Sequence, residues 1–300
     1  MKIISIGEVL WDVIGKTEHP GGAPFNFAAH ASKLGHEVLF VSAVGTDHRG
    51  DRILQRMKAM NLTTRYVTRL PEISTGHVSV SLDSAGQPTF VIHRPAAYDF
   101  PCLTASDLES LLSPPADLIC FGTLQQMSAQ AKELTLRLLE SSPHVRRFYD
   151  VNLRPGCYTP ALIRELMAHA TILKLNDHEV HAIARFSDKH YSSLESFCRS
   201  YSEQFGLEAV CVTGGAKGCS LLLHGEYVES AGYAVTPVDA IGAGDAFAAA
   251  FVHGLACKWS AGTIADFANR VGALVAARSG AIPQWTVDEA YALTERAGSK

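Results

Sequence analysis

No apolar stretch in this sequence is long enough to cross a bilayer, so a membrane-spanning helix is not expected. Met1-Lys2 leads directly into the short run Ile3-Ile4-Ser5-Ile6, which is too short for a signal-peptide core; a soluble, cytoplasmic protein is expected. No Lys/Arg run exceeds Arg146-Arg147, the formal charge is -4 and the isoelectric point lies near 6.3. That balance lacks the basic stripe of a nucleic-acid binder. The seven cysteines are odd in number and none stands in a Cys-x-x-Cys pair, so neither a disulfide framework nor a zinc ribbon is expected. The thirteen histidines form no His-x-x-x-His or His-Glu-x-x-His pattern, which argues against catalytic zinc. Linkers rich in Pro, Gly or Ser, low-complexity tracts and internal repeats are also missing.

What is present is core material. Hydrophobic residues make up 47% of the 300 and charged residues 19%, the balance of a globular protein. Short apolar runs alternate with segments of helical period, the pattern of βα units around a mainly parallel sheet. Strands are predicted at Lys2–Ile6, Val38–Ala43, Leu118–Phe121, Arg147–Val151, Ile172–Leu175 and Ala209–Thr213. Helices are predicted at Pro24–Leu34, Arg49–Met60, Ala129–Leu139, Ala161–His169, Leu194–Gln204, Ala246–Ala256 and Ala261–Ala277. From about Thr68 to Phe90 the rhythm breaks into extended pieces, Thr75–Leu82 and Thr89–His93 around a turn at Ser84-Ala85-Gly86-Gln87. The expectation is one domain over 1–300 with a small β lid, contributed mainly by about 68–100 and part of 13–22.

The segment richest in chemistry is Val238-Asp239-Ala240-Ile241-Gly242-Ala243-Gly244-Asp245-Ala246-Phe247. Glycines ahead of a helix let its N-terminal amides approach an anion, and the helix dipole adds attraction. Asp245 would repel a phosphate held there, but beside such a cradle it suits a base that takes a proton from an attacking hydroxyl. The plainer alternative is an acid in a first helical turn, where negative charge is favoured. A dinucleotide fingerprint fails because its third glycine position is Phe247, and a P-loop fails for want of Gly-Lys-Ser/Thr closing the loop.

The sequence resembles the ribokinase-like, or PfkB, family of carbohydrate kinases, whose C-terminal signature Asp-x-x-Gly-Ala-Gly-Asp stands here as Asp239 to Asp245. The N-terminal signature has its counterpart in Gly21-Gly22-Ala23-Pro24-Phe25-Asn26-Phe27-Ala28, followed by Gly45-x-Asp47-x-x-Gly50. The resemblance implies a three-layer α/β/α sandwich with a small β lid, and an ATP-dependent, magnesium-using sugar kinase. In it Asp245 is the base, and the amides of Gly242, Ala243 and Gly244 stabilise the transferred phosphoryl group. Position 240 is Ala where many members have Thr, which removes a hydroxyl but leaves glycines and base in place.

Other residues take roles on the same footing. Asp12, Gly21, Gly22 and Asn26 are expected to contact sugar hydroxyls; Asp12 alone reads as a strand-end acid able to accept from two vicinal hydroxyls, or as an exposed loop acid. Asp150, Asn152 and Arg154 would share one side if strand geometry continued, with Arg154 suited to phosphate or carboxylate. Lys174, Asn176 and Glu179 resemble the family's Asn-x-x-Glu element, with Glu179 near Mg²⁺ directly or through water; a helix capping box accounts for the same residues. Thr213, Gly215 and Gly218 resemble the nucleotide-side glycine loop, and Asn269 a position near adenine. Asp239, Ile241 and Gly280 stand where members hold a monovalent cation, so K⁺ is included. Lid strands that pair between subunits in this family make a homodimer the expected assembly.

Fructokinases are the most similar members, on Gly22-Ala23-Pro24-x-Asn26, Asp150-x-Asn152-Leu153-Arg154-Pro155 and Arg94-Pro95-Ala96-Ala97-Tyr98-Asp99. The closest rival substrate is a keto-deoxy sugar acid, its carboxylate held by Arg94, Tyr98 or Arg154; ribose or a nucleoside follows. A rival of another class is a sugar-binding regulator that kept the fold and lost catalysis, whose mark would be a missing base or a broken glycine pair. Both features are intact here.

Overall fold

The computed structural model describes residues 1–82, 88–186 and 190–297. The predicted turn at Ser84–Gln87 lies outside the described residues. The chain runs β1 Lys2–Ile6, β2 Leu10–Ile14, β3 Thr17–Gly21, α1 Ala23–Lys33, β4 Glu37–Gly45, α2 His48–Ala59, β5 Val67–Leu70, β6 Gly76–Leu82 and β7 Pro88–Ile92. It continues with α3 Ala105–Leu112, β8 Leu118–Phe121, α4 Ala129–Glu140, β9 Arg146–Asp150, α5 Pro160–His169, β10 Ile172–Asn176, α6 Asp177–Phe186 and α7 Leu194–Phe205. The last elements are β11 Ala209–Thr213, β12 Gly218–Leu223, β13 Glu226–Ala231, α8 Ala243–Ala256, α9 Ala261–Ala276 and α10 Val287–Ala292.

The main sheet has the order β13-β12-β11-β10-β9-β8-β1-β4-β5. It is parallel from β11 through to β5, and the β12–β13 hairpin adds an antiparallel edge. Alternate residues feed opposite faces, as the two-residue strand period requires. Ile3, Phe40, Cys120 and Phe148 join one apolar core with α1, α8 and α9; Ile4, Leu39, Ile119 and Tyr149 join the other, beneath α4, α5 and α7. This is the expected three-layer α/β/α sandwich. Among the described residues no helix is long and apolar enough to cross a membrane.

A second sheet, β3-β2-β6-β7, stands apart from the first and forms the lid. Leu10, Val78, Ala96 and Tyr98 make a small core under it. Two expectations need correction here. Val67–Leu70 does not belong to the lid but pairs parallel with β4 at the edge of the main sheet. Asp12, expected at the end of the first strand or in an exposed loop, lies within β2. The run Leu10–Ile14 is short, and its partner β3 carries Pro20 and Gly21, residues that ordinarily signal turns.

Close packing at the lid root depends on Gly76. A Cβ there would stand 2.6 Å from the ring of Tyr98, which is fully buried and has nowhere to retreat. Gly76→Ala is expected to destabilise the fold by about 1–3 kcal/mol through overpacking. Thermal or denaturant unfolding checks this, and an unchanged midpoint contradicts it.

Candidate active site

The order in which strands are added reverses at β1, whose neighbours are β4 on one side and β8 on the other. Crevices at such switch points, beyond the carboxyl ends of the strands, are where open α/β sheets bind ligands. Glu8 follows β1, Gly122 and Thr123 follow β8, and Asp150 ends β9; these line one pocket with Ala23 and Phe27 of α1. Helices α1 and α8 pack together, and both begin at glycine N-caps, Gly22 and Gly242. Gly22 takes φ 106° and Gly242 φ 77°, values that favour glycine.

Asn26 on α1 donates from Nδ2 to Asp245 Oδ2 on α8 at 2.8 Å. Burial pushes the Asp245 carboxyl up to about 6; the Asn26 hydrogen bond opposes this, Asp150 adds to it, and Lys174 and Arg154 oppose it. The helix starts earlier than predicted, at Ala243 rather than Ala246, which places Ala243, Gly244 and Asp245 in its first turn. The Ala243 amide donates to Ala240 O at 3.3 Å and the Asp245 amide to Gly242 O at 3.1 Å, the tight bonds typical of a helix start.

Asp12 lies opposite His19 across β2 and β3, half-buried. Burial raises its carboxyl, while Arg154 and His19 pull it down and Asp239 raises it. A side chain on Gly21 would collide with Asp12, and one on Gly22 with the Glu8 carbonyl. Arg154 is exposed and makes one long contact, Nη1 to Leu153 O at 3.4 Å. Its charge reaches Glu8, Asp12 and Asp245 alike. Strand geometry ends at Asp150, and Asn152 turns to φ 43°, so Asp150, Asn152 and Arg154 do not continue one strand face.

Several predicted ligand contacts are engaged within the protein. Arg94 forks onto Asp99, Nε to Oδ2 at 3.1 Å and Nη2 to Oδ1 at 2.5 Å, and its Nη1 donates to Leu124 O at 3.0 Å. Arg94 thereby anchors the segment behind the lid. Lys174 and Asp150 are register partners on β10 and β9, with Nζ 2.9 Å from each carboxylate oxygen. Glu179 Oε2 accepts from the Asn176 amide at 2.8 Å, and Asn176 Oδ1 accepts from the Glu179 amide at 2.9 Å, the reciprocal geometry of a capping box. Glu179 Oε1 accepts from the Leu153 amide at 2.7 Å, tying the loop after β9 to α6. Burial raises this carboxyl as well.

A cleft of about 850 Å³ opens beside these residues, between α6, the start of α7, Gly214, Lys217, Gly218 and the end of β13. Thr213 ends β11, and the Gly214 amide closes the following loop on Gly218 O at 2.8 Å; Gly215 and Gly218 take φ 58° and 100°. Asn269 donates to Ser230 O at 3.0 Å and Ala231 O at 3.4 Å, so its amide group braces α9 against β13 at the cleft wall. Asp239 gathers Ile241 and Gly280: Oδ1 accepts the Ile241 amide at 3.0 Å and Oδ2 the Gly280 amide at 3.1 Å.

Among the described residues no group of three or more His, Cys, Asp or Glu is placed to hold a metal ion. With both Glu179 oxygens on backbone amides, these residues do not fit a Mg²⁺ cage made by the protein alone. Glu8 was not singled out from the sequence, although it stands four residues before Asp12 at the end of an apolar strand. It is buried, and its carboxyl is pushed up to about 7 by burial; its own amide and Arg154 oppose this, Asp245 adds to it, and the Ala23 amide opposes it.

An α/β sandwich with a lid, a switch-point crevice and a carboxylate in the first turn of a glycine-capped helix defines a class of small-molecule kinases. Residues 2–287 match the family described as pfkB family carbohydrate kinase, and the chain belongs to that family. An uncharacterised sugar kinase of Pyrococcus horikoshii is 29% identical over 293 residues, 93% of this chain and 91% of its own length. Its crystal structure superposes with a TM-score of 0.81 at 27% identity, covering 98% of this chain and 99% of that one. A fructokinase of Salmonella typhimurium is 27% identical over 270 residues, 86% of this chain and 85% of its own. The fructokinase of Xylella fastidiosa with bound ATP has a TM-score of 0.86 at 22% identity, with 97% of each chain covered. Ribokinase-like architecture is thereby established.

The Lys174–Asp150 pair generates a stability prediction. Both side chains are nearly excluded from solvent, at 8% and 12% exposure. Lys174→Met leaves an uncompensated buried carboxylate and is expected to cost about 3–5 kcal/mol. The double variant Asp150→Leu/Lys174→Met recovers most of that loss in a denaturant titration; equal losses in the two variants contradict the pairing account.

Proposed function

We propose that this carbohydrate kinase transfers the γ-phosphoryl group of ATP to a hydroxyl of a neutral sugar, with fructose as the substrate. The observation that carries the reading is Asp245: a carboxylate shielded enough to sit near pKa 6, held by Asn26, at the N-terminus of a glycine-capped helix. Near neutral pH it is mostly ionised, yet basic enough to accept a proton from an alcohol as that alcohol attacks. The amides of Gly242, Ala243 and Gly244 lie where the helix dipole favours negative charge developing on the transferred group. ATP is supported by the Pyrococcus horikoshii sugar kinase, 27% identical, whose structure is described in complex with ATP.

Sugar class follows from charge. Glu8, Asp12 and Asp245 all interact with Arg154, an acceptor-rich surround that suits hydroxyl donors. A sugar acid is matched less well at Arg94, which is engaged by Asp99 and Leu124. Fructokinases recur among the relatives, including that of Salmonella typhimurium.

Asp12, Gly21, Gly22, Asn26, Asn152 and Arg154 surround the sugar in this reading. Asp150 and Lys174 support Asp245 electrostatically, and the loop from Thr213 to Gly218 receives the nucleotide. Mg²⁺, carried by the nucleotide phosphates, supplies charge neutralisation when bound. Asp239 with Ile241 and Gly280 is the place for a monovalent cation. The small sheet closes over the sugar as a lid within one catalytic unit, and its free edges pair two copies in a homodimer.

Asp245→Asn is expected to lower kcat by about 10²–10⁴-fold while sugar binding persists. Coupled ADP detection over a panel of sugars, with calorimetry for binding, measures both. Near-normal turnover removes Asp245 as the base, and phosphorylation confined to nucleosides or sugar acids removes fructose. For the unaltered enzyme, protonation of Asp245 removes the base, so kcat/KM is expected to fall about tenfold per pH unit below roughly 6. A pH profile flat from 7 to about 4.5 contradicts that assignment.

A further inference from the structure

Glu8 stands at the switch point itself, directly beyond β1 and across from the residues that follow β8. It is 4% exposed, and Oε2 has no hydrogen-bond partner within the protein. The pocket it lines with Ala23, Phe27, Thr123, Asp150 and Asn152 has a volume of about 10 Å³, enough for one hydroxyl-sized group. Glu8 interacts electrostatically with Arg154 and Asp245, which places it at the reacting end of the cleft. Tyr98, which also interacts with Glu8, buries a second hydrogen-bonding group, its hydroxyl, without a partner.

A structural role explains only part of this. The Ala23 amide favours the charged carboxylate, so Glu8 compensates the start of α1, whose N-cap Gly22 has no side chain to offer. That role leaves Oε2 unexplained. A carboxylate oxygen shut away from water without a donor is costly, and native structures seldom keep one without a use for it. Asn26 Oδ1, beside Asp245 in the same site, is buried and unpartnered in the same way.

We propose that Glu8 is a specificity-determining residue whose Oε2 accepts a hydrogen bond from a sugar hydroxyl other than the one phosphorylated. The inference rests on the sugar-kinase reading above and sharpens its substrate class. A hydroxyl supplies the missing donor. A hydrogen atom in its place leaves Oε2 unpaired, so deoxy sugars are rejected at this position.

The test compares the unaltered enzyme with Glu8→Gln and Glu8→Ala, using fructose and its single-deoxy analogues. Glu8→Ala is expected to raise KM for the sugar roughly 10- to 100-fold, Glu8→Gln less, with KM for ATP unchanged. One deoxy analogue should be a correspondingly poor substrate for the unaltered enzyme, and Glu8→Ala should no longer distinguish it from fructose. That loss of discrimination is something a helix-capping role does not produce. Should Glu8→Ala fail to fold, Glu8→Gln with the analogue series decides. Unchanged sugar KM in the variants, or undiminished discrimination against every analogue, overturns the role of Glu8 and leaves the kinase reading intact. An unaltered enzyme that neither binds nor phosphorylates any neutral sugar overturns both.

Discussion

The site depends on the hydrogen bond that joins two helices. Asn26 and Asp245 are 219 residues apart in sequence, and the packing of α1 on α8 brings them to 2.8 Å. Ala246, Ala249 and Ala250 keep the buried face of α8 small and fully enclosed, which allows the close approach. Asn26 favours the ionised carboxylate while burial disfavours it, and the balance sets the basicity of Asp245. Displacing either helix would change that balance before it touched any ligand.

Charges around this contact form a connected set. Lys174 is occupied by Asp150 but still lowers the Asp245 pKa, so the buried pair acts on the proposed base at a distance. Glu179 holds the backbone on either side, at Leu153 and Asn176, and so fixes the loop that carries Arg154. Arg154 in turn opposes the raised carboxyls of Glu8, Asp12 and Asp245. Removing such a side chain alters protonation as well as shape, which is why conservative changes are the informative ones here.

Much of this was legible in the residues. The strands β1, β8 and β11 match their predicted bounds because each is a short, largely apolar run buried on both faces. The signature from Asp239 to Asp245 gave the glycine-capped helix, though its start moved back to Ala243 because glycines weaken a propensity-based reading. Pairing was not legible. Nothing in Arg94 reveals that Asp99 will occupy its guanidinium, and nothing in Val67–Leu70 says that β4, rather than the lid, will take it. Partners across a fold are chosen by tertiary packing, to which a local pattern is blind. Glu8 escaped for the same reason: its chemistry lies in its burial and its missing partner, and neither is written in the residue type.

The most direct measurement of the central claim is the pH dependence of kcat/KM in Asn26→Ala beside the unaltered enzyme. Losing a hydrogen bond made to the ionised form raises the Asp245 pKa, so the acid limb of the profile should move upward in the variant. An acid limb at the same pH in both enzymes would contradict the account, because the group controlling turnover would then not be the carboxylate that Asn26 holds.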